Sequence, residues 1–480
     1  MKKENLNKKS IVLTFITAIT LVLAVVGASF AYFIAQTGSG ASSNATVTTK
    51  TTDSLTFIGG SPIGITATQE NFGTGKPNLS SETIAKARLI ANTGNNTATY
   101  NYFVYLDITE NDFEYTATTT PELILTITDS SGSEVKTIAG LTYVTSGSVT
   151  GFDVTTTKGL IKIAENKEIT TTSTKEELWK VKLTFVNLTS DQQKNTGKTF
   201  VGQVKIQKEK IMTTIAEACV GQNMASCIKT NYNLEKLDNH TAALPNSAQD
   251  GSIRYSGANP NNYICFGPGA TATGTACPEE NQYRIIGVFG NQVKLIKKTT
   301  LGNKVWNSNN VNTWAGSTME TYLNGEYLNS LTTTWSNKIA SNTWQVGGMS
   351  RINGEEATPS VAFNNEVGSK KANITFNGKI GLIYVSDYGF GASANFWTTL
   401  LFKYNPAKTN NWLSIANHEW SMSRNSDLST HAFALNYAGY VDGHYTPTRN
   451  SYGVRPVFYL DNSVNITSGK GTVTDTYRVS

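Results

Sequence analysis

Charged side chains are scarce in this sequence of 480 residues. Lysine, arginine, aspartate and glutamate make up 16% of the chain, against about 25% in an average soluble protein. Asparagine, threonine, serine and glycine are abundant instead, which is typical of an all-β, loop-rich protein. The formal net charge is only +5, and no segment interleaves a basic stripe with aromatic residues. We therefore expect no nucleic acid partner.

Histidine and cysteine are scarcer still, which argues against an enzyme. Each occurs four times, and residues 51–207 contain neither. No Gly-x-Ser-x-Gly motif supports a serine hydrolase. His418, His431 and His444 are spaced thirteen residues apart and could hold zinc on adjacent strands, but their Asn/Ser-rich surroundings favour surface histidines. We expect no catalytic residue, no cofactor and no metal site.

The N-terminus predicts export. Residues 1–10 carry four lysines, and Ile11–Ala35 has no charged residue, which is long enough to cross a hydrocarbon core of about 30 Å as a helix. Flanking lysines keep that end in the cytoplasm, so we expect a single-pass membrane anchor with an extracellular C-terminus. The alternative is a cleaved signal peptide, because Ser29 and Ala31 satisfy the small-residue rule at a cleavage site. Residues 36–50 then form a flexible polar stalk.

The four cysteines favour disulfides, because they are even in number and lie outside the cytoplasm. Three connectivities are open, and we favour nearest neighbours, Cys219–Cys227 and Cys265–Cys277. The second pair flanks a short glycine-rich loop. Eight residues of unbroken helix would separate the first pair by about 12 Å, beyond the reach of about 7 Å for a disulfide. A break at Gly221–Asn223 is therefore required. Zinc would favour closer spacings within each pair.

Residues 51–207 alternate apolar and polar side chains, which predicts an antiparallel β-sandwich of the immunoglobulin or jelly-roll kind. In "LWKVKLTF", Trp179 and Val181 alternate with Lys180 and Lys182. The stretch "ANTGNNTATYNYFVYLDI", after an export segment that ends "GASFAYF", resembles the camelysin-like family of exported biofilm-fibre proteins over residues 11–206. That resemblance implies assembly into fibres by strand exchange.

Residues 208–251 predict a helical and loop connector, and 252–480 an α+β domain. "YRIIGVFGNQVKLIKK" predicts a hairpin that turns at Gly290-Asn291. "STMETYLNGEYLNSL" predicts a helix, because Ser317 and Glu320 are spaced as a capping box. Strands are predicted at "KIGLIYVSDYGFG", "HAFALNYAGYV" and "GVRPVFYL".

These motifs, together with "NHEWSMSR" and "YGVRPVFYLDNSVNITSGKGT", resemble an uncharacterised C-terminal domain of surface proteins from gut Gram-positive bacteria. The resemblance covers about 220 residues and implies a fold like that of C-type lectins and sulfatase-modifying factors. The late reactive cysteines of sulfatase-modifying enzymes are missing after Cys277. The Glu-Pro-Asn, Gln-Pro-Asp and Trp-Asn-Asp motifs of calcium-dependent lectins are also missing.

Two candidate roles concern single side chains of this domain. Sugar sites place an aromatic face under the ring and polar groups around its hydroxyls. The alternative is that the candidate tryptophans, Trp397, Trp412 and Trp420, only fill the core of the domain. Arg455 precedes Pro456 on the last strand, and we expect it to act as a latch that ties loops together. The candidate ligand-binding residues are Trp397, Trp412, Trp420, Arg424, Tyr440 and Asp442.

The sequence therefore favours a non-enzymatic cell-surface protein that presents a lectin-like recognition and adhesion domain on a β-sandwich. Its partners would be the membrane, through residues 11–35, and glycans or host and matrix proteins. The alternative is a self-associating subunit of a surface or biofilm fibre, secreted to the cell surface after leader cleavage. A surface hydrolase is the least favoured function.

Overall fold

The computed structural model describes two compact units, Met1–Ile211 and Met212–Ser480. The residues described are 45–48, 53–91, 97–116, 120–188, 190–270, 275–445 and 451–480. The predicted cytoplasmic segment 1–10 and membrane segment 11–35 lie outside them, as does most of the predicted stalk. Every helix in the described ranges is too short or too polar to cross a bilayer.

The first unit is a sandwich of two antiparallel sheets, with strand orders β1-β2-β4-β10-β6-β8-β7 and β3-β11-β5-β9. Within its described residues, helix is limited to 3-10 turns at Gln69–Asn71 and Gln193–Asn195. The strands are β1 Ala45–Thr48, β2 Ser54–Ile58, β3 Ile63–Thr66, β4 Leu79–Ile90, β5 Ala98–Asn111, β6 Leu123–Thr128, β7 Tyr143–Ser146, β8 Val149–Asp153, β9 Gly159–Thr171, β10 Thr174–Phe185 and β11 Thr199–Gln207.

The alternation predicted for this unit is confirmed along β10. Trp179 and Val181 point into the core, whereas Lys180 and Lys182 are exposed. The indole N–H of Trp179 donates to the Tyr102 hydroxyl at 2.9 Å, so its one polar group is satisfied inside the sandwich. One prediction is wrong here. Residues 45–48, expected in the flexible stalk, form strand β1, because their backbone pairs with the edge of β2.

The second unit combines short strands and short helices. Its helices are α1 Ile215–Cys219, α2 Met224–Asn231, α3 Thr318–Tyr322, α4 Leu328–Ser330, α5 Thr332–Ser336, α6 Pro359–Glu366 and α7 Val385–Phe390, with a π-helical turn at Leu323–Tyr327. Short 3-10 helices are found at Tyr232–Glu235, Glu279–Asn281, Ala394–Phe396, Leu401–Lys403 and Asn405–Asn410.

Two sheets organise this unit, with strand orders β12-β13-β15-β16-β25-β20 and β17-β24-β21-β22-β23; β14 also pairs with β15. The strands are β12 Asp238–Asn239, β13 Ile253–Arg254, β14 Tyr263–Cys265, β15 Gln282–Phe289, β16 Gln292–Lys297, β17 Asn303–Lys304, β18 Asn342–Gln345, β19 Thr375–Gly378, β20 Ile380–Gly381, β21 Glu419–Arg424, β22 Ala432–Leu435, β23 Val441–Tyr445, β24 Tyr452–Gly453, β25 Val457–Tyr459, β26 Ile466–Ser468 and β27 Arg478–Val479.

Local predictions for this unit are largely confirmed. The β15–β16 hairpin turns at residues 290–291, and Gly290 adopts the positive φ of 60° that such a turn requires. The side chain of Ser317 accepts the Glu320 N–H at the start of α3. The strand expected at 379–391 is mostly wrong: only Ile380–Gly381 pairs, and the buried helix α7 follows, since a short apolar run suits a buried helix as well as a strand.

The boundary between the units lies at 212, not at 252. Residues 208–251 were expected to be a connector, but Ile215, Met224 and Ile228 are buried in the core of the second unit. Helices α1 and α2 are short and amphipathic, so their apolar sides are covered by that core.

Both disulfides join nearest neighbours. The Cα atoms of Cys219 and Cys227 are 5.6 Å apart, and those of Cys265 and Cys277 are 5.7 Å apart. The predicted helix break occurs between α1 and α2, where Gly221 has a φ of 82°. Two disulfides indicate a protein that works outside the reducing cytoplasm.

Arg455 lies in the interior of the second unit and forms a bidentate ion pair with Glu419. Its Nε and Nη2 donate to the two carboxylate oxygens at 2.8 and 2.7 Å, and Nη2 also donates to the Leu413 carbonyl at 2.7 Å. Arg455 is 1% exposed and Glu419 is fully buried. This geometry ties strand β21 and the 413 loop to the closing segment, as a latch would.

We predict that Arg455→Ala lowers the free energy of unfolding by about 3–5 kcal/mol, because it leaves the Glu419 carboxylate buried without its counter-ion. Urea denaturation of the purified chain measures this. The double variant Arg455→Met with Glu419→Leu should lose less, since neither charge is left alone. Near-native stability of Arg455→Ala together with lost ligand binding would make Arg455 a binding residue instead.

Candidate functional site

Most of the candidate ligand-binding residues are structural. Trp397, Trp412 and Trp420 are 1%, 5% and 0% exposed, and their indole N–H groups donate to the carbonyls of Ala392, Tyr255 and Lys304. A buried indole with a satisfied N–H cannot offer its face to a sugar. These three residues therefore belong to the core rather than to a binding surface.

Arg424 is also engaged within the fold. Its Nε donates to the Gly347 carbonyl at 2.9 Å, and its Nη1 lies 3.4 Å from Asn312 Oδ1. The guanidinium thus joins two loops to strand β21. Tyr440 and Asp442 differ from the other candidates, because both are partly exposed and lie among other partly exposed rings.

These rings, together with the polar side chains between them, form a surface that we call the tyrosine face. It lies on the sheet β17-β24-β21-β22-β23, where strand β24 runs parallel to β21 and brings Gly453 beside Glu419. Tyr437 is 56% exposed, Asn436 is buried, and the remaining members are partly buried. Its members are His418, Asn436, Tyr437, Tyr440, Asp442, Tyr445 and Tyr452.

Ring contacts hold the tyrosine face together. The His418 ring stacks on Tyr452 with centroids 4.7 Å apart and an interplanar angle of 19°, and it meets Tyr437 edge-on at 5.2 Å. Tyr445 meets Tyr452 edge-on at 4.8 Å. Buried Trp420 lies under Tyr452 at 4.8 Å. The buried tryptophan therefore supports the exposed rings instead of joining them.

Polar groups around these rings are oriented. The Asn436 amide donates to the hydroxyls of Tyr440 and Tyr445 at 2.9 and 3.1 Å. Burial raises the pKa of both phenols and of Tyr452, and the negative charge of Asp442 raises them further. The phenols consequently stay neutral near pH 7, and the face combines neutral hydroxyls with one carboxylate.

A group of potential metal ligands adjoins the tyrosine face. Glu355, Asp442 and His444 offer ligand atoms within 4.8 Å of one another. His444 Nδ1 lies 3.3 Å from Asp442 Oδ1 and 3.7 Å from Glu355 Oε1. Glu355 already has a cation nearby, since Arg351 Nη1 lies 3.2 Å from its Oε1. Its other oxygen accepts the Gly443 N–H at 2.5 Å. These three side chains could bind a divalent cation only in competition with Arg351.

The sequence analysis does not identify Glu355 as a candidate ligand. It also does not predict that Asp442 belongs both to the tyrosine face and to the group of potential metal ligands. Asp442 and His444 are two residues apart on strand β23, and Tyr440 immediately precedes that strand; side chains two residues apart on a strand share a face. That spacing is a usable signal. Glu355 is distant in sequence and meets the strand only in the folded unit. His418 and His431, the other histidines of the rejected zinc site, lie outside this group of ligands.

Comparison with known protein families matches part of the chain. Residues 290–462, which include the tyrosine face, are similar to a family described as a domain of unknown function (DUF6273). No curated protein and no solved structure matches the chain.

We predict that Trp420→Ala lowers the free energy of unfolding by about 3–5 kcal/mol, because it removes a buried indole and leaves a cavity. Tyr437→Ala should change stability by less than about 0.5 kcal/mol, since that ring is mostly exposed. Urea denaturation of the two variants checks the contrast. A Trp420→Ala variant with parental stability would return Trp420 to the list of surface candidates.

Proposed function

We propose that this chain is a non-enzymatic bacterial cell-surface protein whose C-terminal unit recognises glycans through the tyrosine face. The resemblance to C-type-lectin-like domains supports this proposal, and so do the two disulfides. Residues 11–35 would anchor the chain in the cell membrane, or direct it to the cell surface if they are cleaved. N-terminal sequencing of the mature protein distinguishes these two.

The observation that carries this proposal is the group of half-exposed rings around Asp442. Pyranose rings present C–H groups that pack on aromatic faces, and their hydroxyls bind carboxylates, amides and phenols. Tyr437 supplies an exposed ring, Asp442 supplies an acceptor and Tyr440 supplies a neutral hydroxyl. The face is open, so an extended glycan chain fits it better than a small molecule that must be enclosed.

Adhesion to a host or matrix protein is the competing use of the same face. Tyrosine is also enriched at protein interfaces, where it brings large contact area at low entropic cost. The two uses differ in ligand, and a screen of the purified chain against mucin glycans and matrix proteins separates them.

We predict that Tyr437→Ala and Asp442→Asn each weaken glycan binding at least tenfold without lowering the melting temperature by more than a few degrees. Binding of the purified chain to mucin glycans, measured on an array and by titration, checks this. Tyr232→Ala is the matched control, because this half-buried tyrosine lies at the end of helix α2, outside the tyrosine face. Equal binding by all four proteins would overturn the proposal.

A fibre subunit is the second candidate function, and strand β1 favours it. The strand pairs antiparallel with β2 at the edge of its sheet, with Thr46 opposite Thr56. Strand β1 lies at one end of the strand order, and among the described strands its partner is β2. The same segment of a second copy could therefore replace it with identical pairing.

We predict that a disulfide introduced by Thr46→Cys and Thr56→Cys blocks polymer growth if exchange of β1 builds the fibre, because it locks the strand to its own sheet. Size-exclusion chromatography with light scattering, at increasing protein concentration, reports the outcome. Reduction should restore the polymers. A parent chain that stays monomeric throughout argues against the fibre.

A further inference from the structure

A cavity in the same unit is lined by residues that do not belong to the tyrosine face. It is a cavity of about 420 Å³ beside strands β15 and β16 and the helical segment that starts with α3, a volume within the usual range for small-molecule sites. Tyr283, Tyr322 and Tyr327 give it aromatic walls, Leu331 adds an apolar side chain, and Lys297 supplies an amine. A larger cleft of about 600 Å³ adjoins Asp250, but that carboxylate already pairs with Arg254.

Lys297 is a buried cation, and no carboxylate of the described residues forms a close ion pair with it. Lys294, three residues earlier on β16, is also buried, but its Nζ lies 2.5 Å from the Asp387 carboxylate. Burial lowers the pKa of Lys294, and the Asp387 charge outweighs that effect, so the net shift is upward. At Lys297, burial lowers the pKa to about 8, and the charges of Glu280 and Glu279 compensate only in part.

The Lys297 ammonium retains donors for a ligand. It has three N–H groups, and among the described residues it donates to one acceptor, the backbone carbonyl of Glu280. The Tyr283 ring centroid lies 4.9 Å from the amine. The Lys297 side chain is 5% exposed, so water cannot surround it freely. A buried ammonium with unused N–H groups is suited to an anionic oxygen.

The adjacent phenols add neutral donors. The hydroxyls of Tyr283 and Tyr327 are hydrogen-bonded to each other. Burial raises the pKa of both, so they stay protonated. One hydroxyl donates to the other, and the second keeps a proton for a ligand. The exposed Glu326 carboxylate at the cavity wall offers an acceptor for a ligand hydroxyl.

We propose that this cavity binds the carboxylate of an acidic sugar, a uronic acid unit, with Lys297 as the counter-ion and the tyrosine rings beside the pyranose. The choice of a sugar rests on the proposed glycan recognition, whereas the anion site rests on the cavity and Lys297 alone. Acidic glycans would then be bound at two places, the tyrosine face and this cavity.

The protonation of Lys297 makes the proposal sensitive to pH. Only the charged amine attracts a carboxylate, so affinity should be nearly constant between about pH 5 and pH 7 and fall by up to about tenfold per pH unit above pH 8. Facing the amine are the carboxylates of Glu279 and Glu280, with Glu326 at the cavity wall and the phenols of Tyr283 and Tyr327. Because the phenol pKa values are raised, the phenols keep their protons over this range.

The test is calorimetric titration of the full chain with two methyl glycosides that differ only at C6. Methyl β-glucuronide carries a carboxylate, and methyl β-glucoside carries a hydroxymethyl group. We expect the glucuronide to bind at least tenfold more tightly at pH 7 and to lose that advantage by pH 9.5. Equal affinities, a flat pH profile for the glucuronide or no glucuronide binding would each overturn the proposal.

Two variants assign the effect to one amine. Lys297→Met keeps most of the length of the unbranched side chain and removes the charge, so it should abolish the preference for the glucuronide. Lys298→Met is the matched control, since Lys298 donates to the Gln282 side chain instead, and it should bind as the parent does. Equal loss in both variants would also overturn the proposal. Failure of the proposed glycan recognition at the tyrosine face can be distinguished from failure of this proposal, because Tyr437→Ala changes that face and leaves this cavity intact.

Discussion

The ion pair between Arg455 and Glu419 is the constraint on which the second unit depends. Both groups are removed from water, so each would be costly alone and the two must lie together. Glu419 starts strand β21, and Arg455 follows strand β24. The pair therefore fixes where the last part of the chain meets the sheet. A loop-rich unit with few long elements needs such fixed points.

The same constraint positions the tyrosine face. Strand β24 carries Tyr452 two residues before Val454, and its Gly453 lies beside Glu419 in parallel pairing. Trp420 follows Glu419 directly and supports the Tyr452 ring from below. Glu419 therefore adjoins Trp420 on strand β21, and Arg455 follows Tyr452 by three residues on the neighbouring segment. Groups that stabilise the core and groups that meet solvent share one short stretch of sheet.

Three buried cations of the second unit differ in what neutralises them. Arg455 and Lys294 contact carboxylates directly. Lys297 has only a backbone carbonyl and a ring among its described hydrogen-bond and cation–π partners. It lines a cavity, whereas the other two are enclosed by their partners. An incompletely neutralised charge beside open space is the physical reason to expect a ligand there.

What the sequence by itself determined is what depends on neighbours along the chain. Alternation along β10, the turn at Gly290 and the cap at Ser317 follow from local spacing, and the structure confirms them. Local spacing favoured one of three cysteine connectivities, and the structure has that one. The tertiary structure alone decided which aromatic residues are buried, because exposure depends on what packs against each ring. It also brought Glu355 to Asp442 across nearly ninety residues, and among the described residues it gave Lys297 a backbone carbonyl as hydrogen-bond acceptor where Lys294 has a carboxylate. Burial and long-range pairing depend on which distant residues pack together in the folded core, so the spacing of neighbouring residues cannot predict them.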